Sequence, residues 1–368
     1  MNVFARFRLR PAPLHLADPA VARDPFPHYE ALRRRGGSVQ FLAAHDYWIV
    51  LGHEECRAAF DSPRVFSNGP YAPVDAVLLA ADPPRHTPVR KLVSRQFSAE
   101  ALGRLSDSAG ELARSLVRPE LEVVEEFALA VSRRVTAELI GFEAAASADI
   151  VAAYEASLTA EDPLAAFIVE IDRLAERARL FHAWRHAGAH DLEEAELRSL
   201  IRLLWLAGTT TTERVITRAV LRLLQHPDLR AAVTADRALL VPFLEEVMRL
   251  HPPEHMVPRL TLEPVRLGGV DLPQGAEVRL CVSAANRDPA AWEAPAAIRF
   301  DRRGRRHFAF GGGIHQCLGA PLARRVAAAA LGALLDGAPQ LRALEPLEHI
   351  PYFATETALA PLRLRVGT

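Results

Sequence analysis

The chain has 368 residues, half of them hydrophobic, and a net charge of −1 at neutral pH. That length suits one large α-rich domain, expected over residues 1–368, and the near-zero charge gives no case for a nucleic acid or an acidic polymer as partner. The three cysteines, Cys56, Cys281 and Cys317, form no paired framework, which points to a reducing, cytoplasmic setting. The N-terminal stretch MNVFARFRLRPAPLHL lacks an apolar core long enough for a signal peptide, and no run of about 18 apolar residues suggests a membrane span.

In chain order, PFPHYEALRRRGG (25–37) reads as a short helix stopped by glycine. SVQFLAAHDYWIVLG (38–52) reads as two strands around a turn, and HEECRAAFDSP (53–63) as a short helix ended before proline. Residues 66–84 are loop-like, and from about Thr87 to about Gly188 the pattern is mostly helical. A long helix is then expected over 191–227, with Asp191 as N-cap and Glu194 three residues later; it would measure roughly 50 Å. A helix over about Ala238 to Leu250 follows. Short strands and turns come next (265–289), then an apolar helix after Cys317, and a strand-like last 30 residues. The order is mainly α with a small β part (α+β), without alternating βαβ units.

The stretch FAFGGGIHQCLGAPLAR (308–324) concentrates the chemistry. A thiolate is a strong soft ligand for iron. A helix beginning just after Cys317 offers free N–H groups and the positive end of its dipole, which favour the thiolate. Gly311, Gly312, Gly313 and Gly319 allow tight turns and close approach to a flat ligand. From the residues alone, a buried structural cysteine in a glycine loop is the other reading. Zinc is weaker, because His315 and Cys317 have no second pair at finger spacing.

The pattern Phe310-x-x-Gly313-x-His315-x-Cys317-x-Gly319 resembles the heme-binding loop of the cytochrome P450 family. The resemblance implies the cytochrome P450 fold, with a long helix crossing the cofactor. It also implies heme b (iron protoporphyrin IX), with Cys317 as proximal iron ligand pushing electron density toward O–O cleavage. Four further stretches agree. EEVMR carries Glu246 and Arg249, which share a helix turn and in the family form a buried pair; HMVPRL places Arg259 at a propionate-binding position; DPPRHTPVRKLVSRQFS places His86 and Arg90 toward a propionate, with His315 on the other side; AANRDP precedes the loop. FDRRGRRHF is short, so either Arg302 or Arg303 can complete the Glu246–Arg249 network. Against the family pattern, the region between the helix of DPPRHTPVRKLVSRQFS and the long helix, which by resemblance forms the lid of the pocket, is also abbreviated.

LAGTTTTE (206–213) places four threonines and Gly208 inside the longest helix, a poor local choice for that structure. One reading is a core helix whose threonines bond their own i−4 carbonyls. By resemblance the stretch is the oxygen groove, with Ala207 and Gly208 against the heme and Thr211 as the groove threonine. The family's acid before that threonine is here Thr210. Glu213 follows two residues later, about 200° round the helix.

The resemblance further implies a bacterial soluble heme-thiolate monooxygenase, with ferredoxin and ferredoxin reductase as electron donors. Its product would be a small-to-medium organic molecule of secondary metabolism, free or carrier-bound, carrying one added oxygen atom. The same iron also permits peroxide-driven oxidation or oxidative coupling without oxygen retained. A non-catalytic gas-binding heme protein is a third reading. Substrate positions expected from the family layout are the loop from Tyr71 to Leu79, Leu203 to Thr211, Glu254, His255, Met256, Val257, Tyr352 and Phe353. The run Arg302, Arg303, Arg305 and Arg306 is a candidate surface for an acidic ferredoxin.

Overall fold

The computed structural model describes residues 21, 24–157, 163–186, 191–302, 304–344, 347 and 365–367. The N-terminal part holds α1 (Phe26–Gly36), a hairpin of β1 (Val39–Leu42) and β2 (Tyr47–Val50), α2 (His53–Asp61) and the short β3 (Phe66–Ser67). Pro27 stands in the first turn of α1, and Gly37 (φ 81) follows its last residue, the glycine stop expected from the sequence. A helical stretch follows: α3 (His86–Ser94), α4 (Ala99–Leu116), α5 (Ala130–Ile140), α6 (Ala144–Ser157), α7 (Pro163–Ala175) and α8 (Arg179–His186). It is interrupted by β4 (Glu120–Glu122) and by a π-helical segment at Val124–Leu129. That strand lies in a region whose pattern reads as helical.

The central helix α9 (Glu194–Gln225) has 32 residues, about 48 Å. Its N-cap is Glu193 rather than Asp191. The Glu193 side chain accepts a bond from the N3 amide, and Glu196 Oε2 accepts one from the Glu193 amide at 2.9 Å, a complete capping box. Pro227 opens the next helix, α10 (Pro227–Ala235), and α11 (Leu240–Leu250) follows. The chain continues through β5 (Val257–Thr261), β6 (Val265–Leu267), β7 (Val270–Leu272), β8 (Glu277–Leu280), the single turn α12 (Val282–Ala285), α13 (Ala320–Gly337), β9 (Arg342–Ala343) and β10 (Arg365–Gly367).

Five strands form a sheet in the order β1-β2-β8-β5-β3, with β2 and β8 parallel and the other pairs antiparallel. Parallel neighbours need a crossover, and here nearly the whole helical part supplies it. The crossover brings α2 beside the loop preceding α13.

Two hydrophobic cores meet along α9. Leu200 and Ile201 in its first half pack with Val77, Leu78, Phe167, Phe181 and Trp184. Val215, Val220 and Leu223 in its second half pack with Ala109, Phe127, Phe243 and Leu331. Each fully buried side chain of this kind contributes about 1.5–3 kcal/mol. The segment 207–212 lies between the two cores, where neither claims it. Among the described residues no helix is long and apolar enough to cross a membrane.

Candidate active site

Cys317 sits between a folded loop and the start of α13. Its amide donates to Phe310 O at 3.0 Å and Gln316 N donates to Gly313 O at 3.2 Å, so the loop closes on itself. Gly313 has φ +61, and a Cβ there would lie 1.9 Å from Phe60 O of α2. No other residue fits that contact. Gly319, by contrast, has an ordinary backbone and room for a Cβ 3.8 Å from Cys317 Sγ. Burial pushes the Cys317 thiol up, while the Gly319 and Ala320 amides and the Arg90 charge pull it down. Cys56 and Cys281 lie wholly inside, both raised by burial, whereas Cys317 is accessible. Among the described residues no cluster of three or more His, Cys, Asp or Glu side chains is set to hold a metal ion.

Around this thiol the structure gathers four nitrogen-bearing side chains from three separate parts of the chain. The His86 and His315 rings lie against each other at a tilt of 57°, with centroids 4.3 Å apart. Both Nε2 atoms are buried without a hydrogen-bond partner, a costly state for a polar group. Burial lowers both, His315 to about 3, with His86, Arg259 and Arg90 adding repulsion at His315. Arg90 donates to Gln316 O at 2.6 Å and feels the Cys317 charge. Arg259 is 3 % exposed, and burial lowers it to about 10; its guanidinium donates to Pro258 O at 2.7 Å, and Phe60 lies beneath it at 5.1 Å. Two orphaned imidazole nitrogens and two arginines beside an accessible thiol fit a flat group with an anionic edge and a thiophilic metal, which is what a heme presents.

A second network fixes the loop from behind. Arg249 donates to both oxygens of Glu246, at 2.7 and 2.8 Å, and to the carbonyls of Asn286, Pro295 and Ala297. Arg302 Nε completes it, 2.9 Å from Glu246 Oε2; Arg303 lies outside the described residues. Asn286 Oδ1 then accepts from Phe308 N at 2.7 Å, carrying the network to the cysteine loop.

On α9, Ala207 is exposed in mid-helix and Thr211 is half-buried. The threonine hydroxyls of 209, 210 and 211 donate to the carbonyls of Trp205, Leu206 and Ala207 at 2.9, 3.4 and 2.6 Å. The Cβ direction of Gly208 points at Thr136 of α5, where a methyl would meet Oγ1 at 2.6 Å, so this glycine serves helix packing. Glu213 is held up by burial and accepts from Thr217 at 2.8 Å, away from Thr211.

The expected substrate positions are distributed over three hydrophobic clusters. Leu203 belongs to the first-half core of α9, Met256 packs on the N-terminal cluster around Tyr29, and Val257 packs on the sheet. His255 is engaged with Tyr29 Oη (2.6 Å) and Ser283 Oγ (3.0 Å), and burial lowers it to about 3. Tyr352 and Phe353 lie outside the described residues. On the outer side of the cysteine loop an open recess of about 360 Å³ is lined by Glu245, Arg305, Arg306, Phe310, Gln316 and Arg324. Arg302 is turned inward to Glu246 and is no part of that basic face; Arg324 takes its place. The sequence reading missed Arg324, and gave the buried Asp75 no role beyond its place in the Tyr71–Leu79 loop. A lone acid in the apolar run VDAVLLAA was the available signal for Asp75.

This arrangement defines a heme-dependent oxidoreductase of the monooxygenase class. A family model for cytochrome P450 matches residues 175–337. The cytochrome P450 monooxygenase PikC of Streptomyces venezuelae is 32% identical over 354 residues, 87% of this chain and 85% of that one. The chain therefore belongs to the cytochrome P450 family. Among solved structures, HmtN, a post-tailoring hydroxylase involved in himastatin biosynthesis, superimposes with a TM-score of 0.81 at 26% identity, covering 95% of this chain and 99% of that one. P450BioI, in complex with an acyl carrier protein bearing hexadec-9Z-enoic acid, superimposes with a TM-score of 0.82 at 26% identity, covering 96% and 100%.

Proposed function

We propose that the whole chain, 1–368, is one cytoplasmic cytochrome P450 domain that inserts one oxygen atom from O2 into a small-to-medium organic substrate of secondary metabolism. The observation that carries this is the meeting of Cys317 with His86, Arg90, Arg259 and His315. Cys317 would ligate the iron of heme b, and the four cationic or imidazole groups would hold its propionates. Ala207 and the Gly208 backbone would border its upper face. When bound, the heme supplies a thiolate-ligated iron at which O2 is reduced.

The chain's own residues do the rest. Arg259 and Arg90 meet an anionic edge in a low-dielectric site, where charge-assisted bonds are strong. Glu246, Arg249 and Arg302 keep the loop backbone fixed. Thr211 Oγ1 has its proton committed to Ala207 O, so it offers lone pairs to a donor. To give a proton it must first break that 2.6 Å bond. Thr210 supplies no carboxyl to replenish it. This is the observation that favours a second reading: peroxide-driven oxidation, or coupling and ring closure without retained oxygen.

HmtN's role in biosynthesis and the carrier-bound ligand of P450BioI support a secondary metabolite, free or carrier-tethered, as substrate class. The recess with Arg305, Arg306 and Arg324 supports an acidic ferredoxin, served by its reductase, as electron donor. The test is to titrate the purified ferric protein with metabolite classes and follow its visible spectrum, then run turnover with labelled O2. A low-to-high-spin shift with one class, and one labelled atom in product, is the expected result. A missing heme band overturns the reading, and an unlabelled product selects the second one.

A further inference from the structure

The open stretch of α9 does not end at its threonines. Ala207 and Arg214 are seven residues apart. They therefore stand within about 20° of each other round the helix and about 10 Å apart along it, with Thr211 between them. Ala207 is exposed, Thr211 half-buried and the Arg214 side chain 38 % exposed, whereas Thr212, Val215 and Ile216 on the other faces are buried. A guanidinium thus lies on the stripe that carries Ala207 and Thr211, where neither hydrophobic core uses it.

Arg214 is aimed by one bond and one attraction. Its Nη1 donates to Pro253 O at 3.1 Å, in the segment between α11 and β5 that runs on to Arg259. Glu254 Oε1 lies 3.8 Å from the same nitrogen, beyond hydrogen-bond reach. The Glu254 side chain is 59 % exposed, and an ion pair this long and this open holds weakly. Glu213, the neighbouring acid, is engaged with Thr217 instead. The cation is therefore fixed to helix and backbone, while its counter-ion is loosely placed. That asymmetry makes Arg214 a receptor for an anion and Glu254 a stand-in for one. A planar guanidinium takes a carboxylate through two parallel bonds, a fit that a neutral group cannot match.

We propose that Arg214 is a specificity-determining residue that anchors a carboxylate of the substrate, and that Glu254 holds that place until the substrate displaces it. The substrate class is then an organic acid whose carboxylate lies about 5–10 Å from the part presented to Thr211 and Ala207, the rise of α9 from those residues to Arg214. This rests on the monooxygenase reading for calling the ligand a substrate, but not for its binding.

The experiment is calorimetric titration of the protein as purified with 4-phenylbutyrate, 6-phenylhexanoate and 8-phenyloctanoate, each against the alcohol of the same length. At neutral pH at least one acid should bind about tenfold or more tightly than its alcohol. In Arg214→Gln, which keeps a donor for Pro253 O, acid and alcohol should bind alike. Arg214→Lys, which keeps the charge without the fork, should restore part of the preference. Glu254→Gln should tighten the acid several-fold and leave the alcohol unchanged. A merely structural role for Arg214 would weaken acid and alcohol together and leave their ratio intact. Equal binding or no binding of every pair in the parent overturns the proposal, as does a preference that survives Arg214→Gln. Weaker acid binding in Glu254→Gln also overturns it, and tighter binding of 6-phenylhexylamine than of the acid would make Glu254 the receptor instead. If Arg214→Gln does not fold, Arg214→Lys and Glu254→Gln give the same reading. The visible spectrum is read separately: absence of a heme band is the failure of the monooxygenase reading and leaves the calorimetric ratios to decide the anchor.

Discussion

Thr210 stands where the family's resemblance leads one to expect an acid, and its hydroxyl makes only a long 3.4 Å bond to Leu206 O. Its neighbour Thr211 is bound more firmly to its own helix. Neither has a proton with a pKa near neutrality to offer, and general-acid efficiency falls when the donor is mismatched to its task. Glu213 does not substitute, since it is engaged with Thr217. Thr210→Asp should therefore raise oxygen-dependent turnover and coupling, by about tenfold if one well-placed acid is all that is missing. Steady-state oxygen consumption against product formed measures it, and an unchanged coupling ratio would sink the idea. The threonine run was legible in the sequence because β-branched residues at mid-helix are out of place. The hydroxyls of Thr209, Thr210 and Thr211 do bond their i−4 carbonyls, which is the structural reading of the same run and is compatible with the functional one. Which of Arg302 and Arg303 meets Glu246 was not legible, because adjacent residues of one type differ only in the direction the backbone gives them.

Among elements, the cysteine loop depends on α2 more than on its own composition. Gly312 and Gly313 rest against Phe60, with Gly313 at φ +61 and in contact with its carbonyl. Gly313→Ala combines left-handed strain with a backbone clash, each costing about 1–3 kcal/mol. A fall in Tm and loss of the heme band are expected on thermal and visible scans. Gly304→Ala is the control, since φ is +79 there but nothing lies within 4 Å; it should cost only about 1–2 kcal/mol. Sequence periodicity located α1, α2, α9 and α11 to within a few residues. It placed the α9 cap two residues early, because Asp is the commoner cap residue and Glu193 caps only through its reciprocal bonds with Glu196. The bond that Ser199 Oγ donates to the buried Asp75 was not legible, since the two lie 124 residues apart and no local pattern pairs them.

At the scale of the whole molecule, charge is nearly balanced yet unevenly placed. Arg305 and Arg306 border the recess beside Gln316, while Arg324 is held by Glu245 at 2.6 and 3.0 Å. A docking acidic ferredoxin would be steered by this face, and electron transfer should slow about tenfold or more as salt rises. Stopped-flow reduction against ionic strength measures it, and a flat response would rule out charge-steered docking there. The parallel pairing of β2 with β8 closes the chain on itself in a way that also governs its birth. His53 of α2 meets the carbonyl of Arg306 across a separation of 253 residues, and Phe60 waits beside it for Gly313. A ribosome adding 5–20 residues per second needs roughly 13–50 s to bridge that gap. For most of that interval the β1–β2 hairpin lacks β8 along its open edge, and the cysteine loop has not been made. Capture of the proposed cofactor would thereby be a late event of synthesis, and a chain truncated before the cysteine loop would lack Cys317, the ligand proposed for the iron.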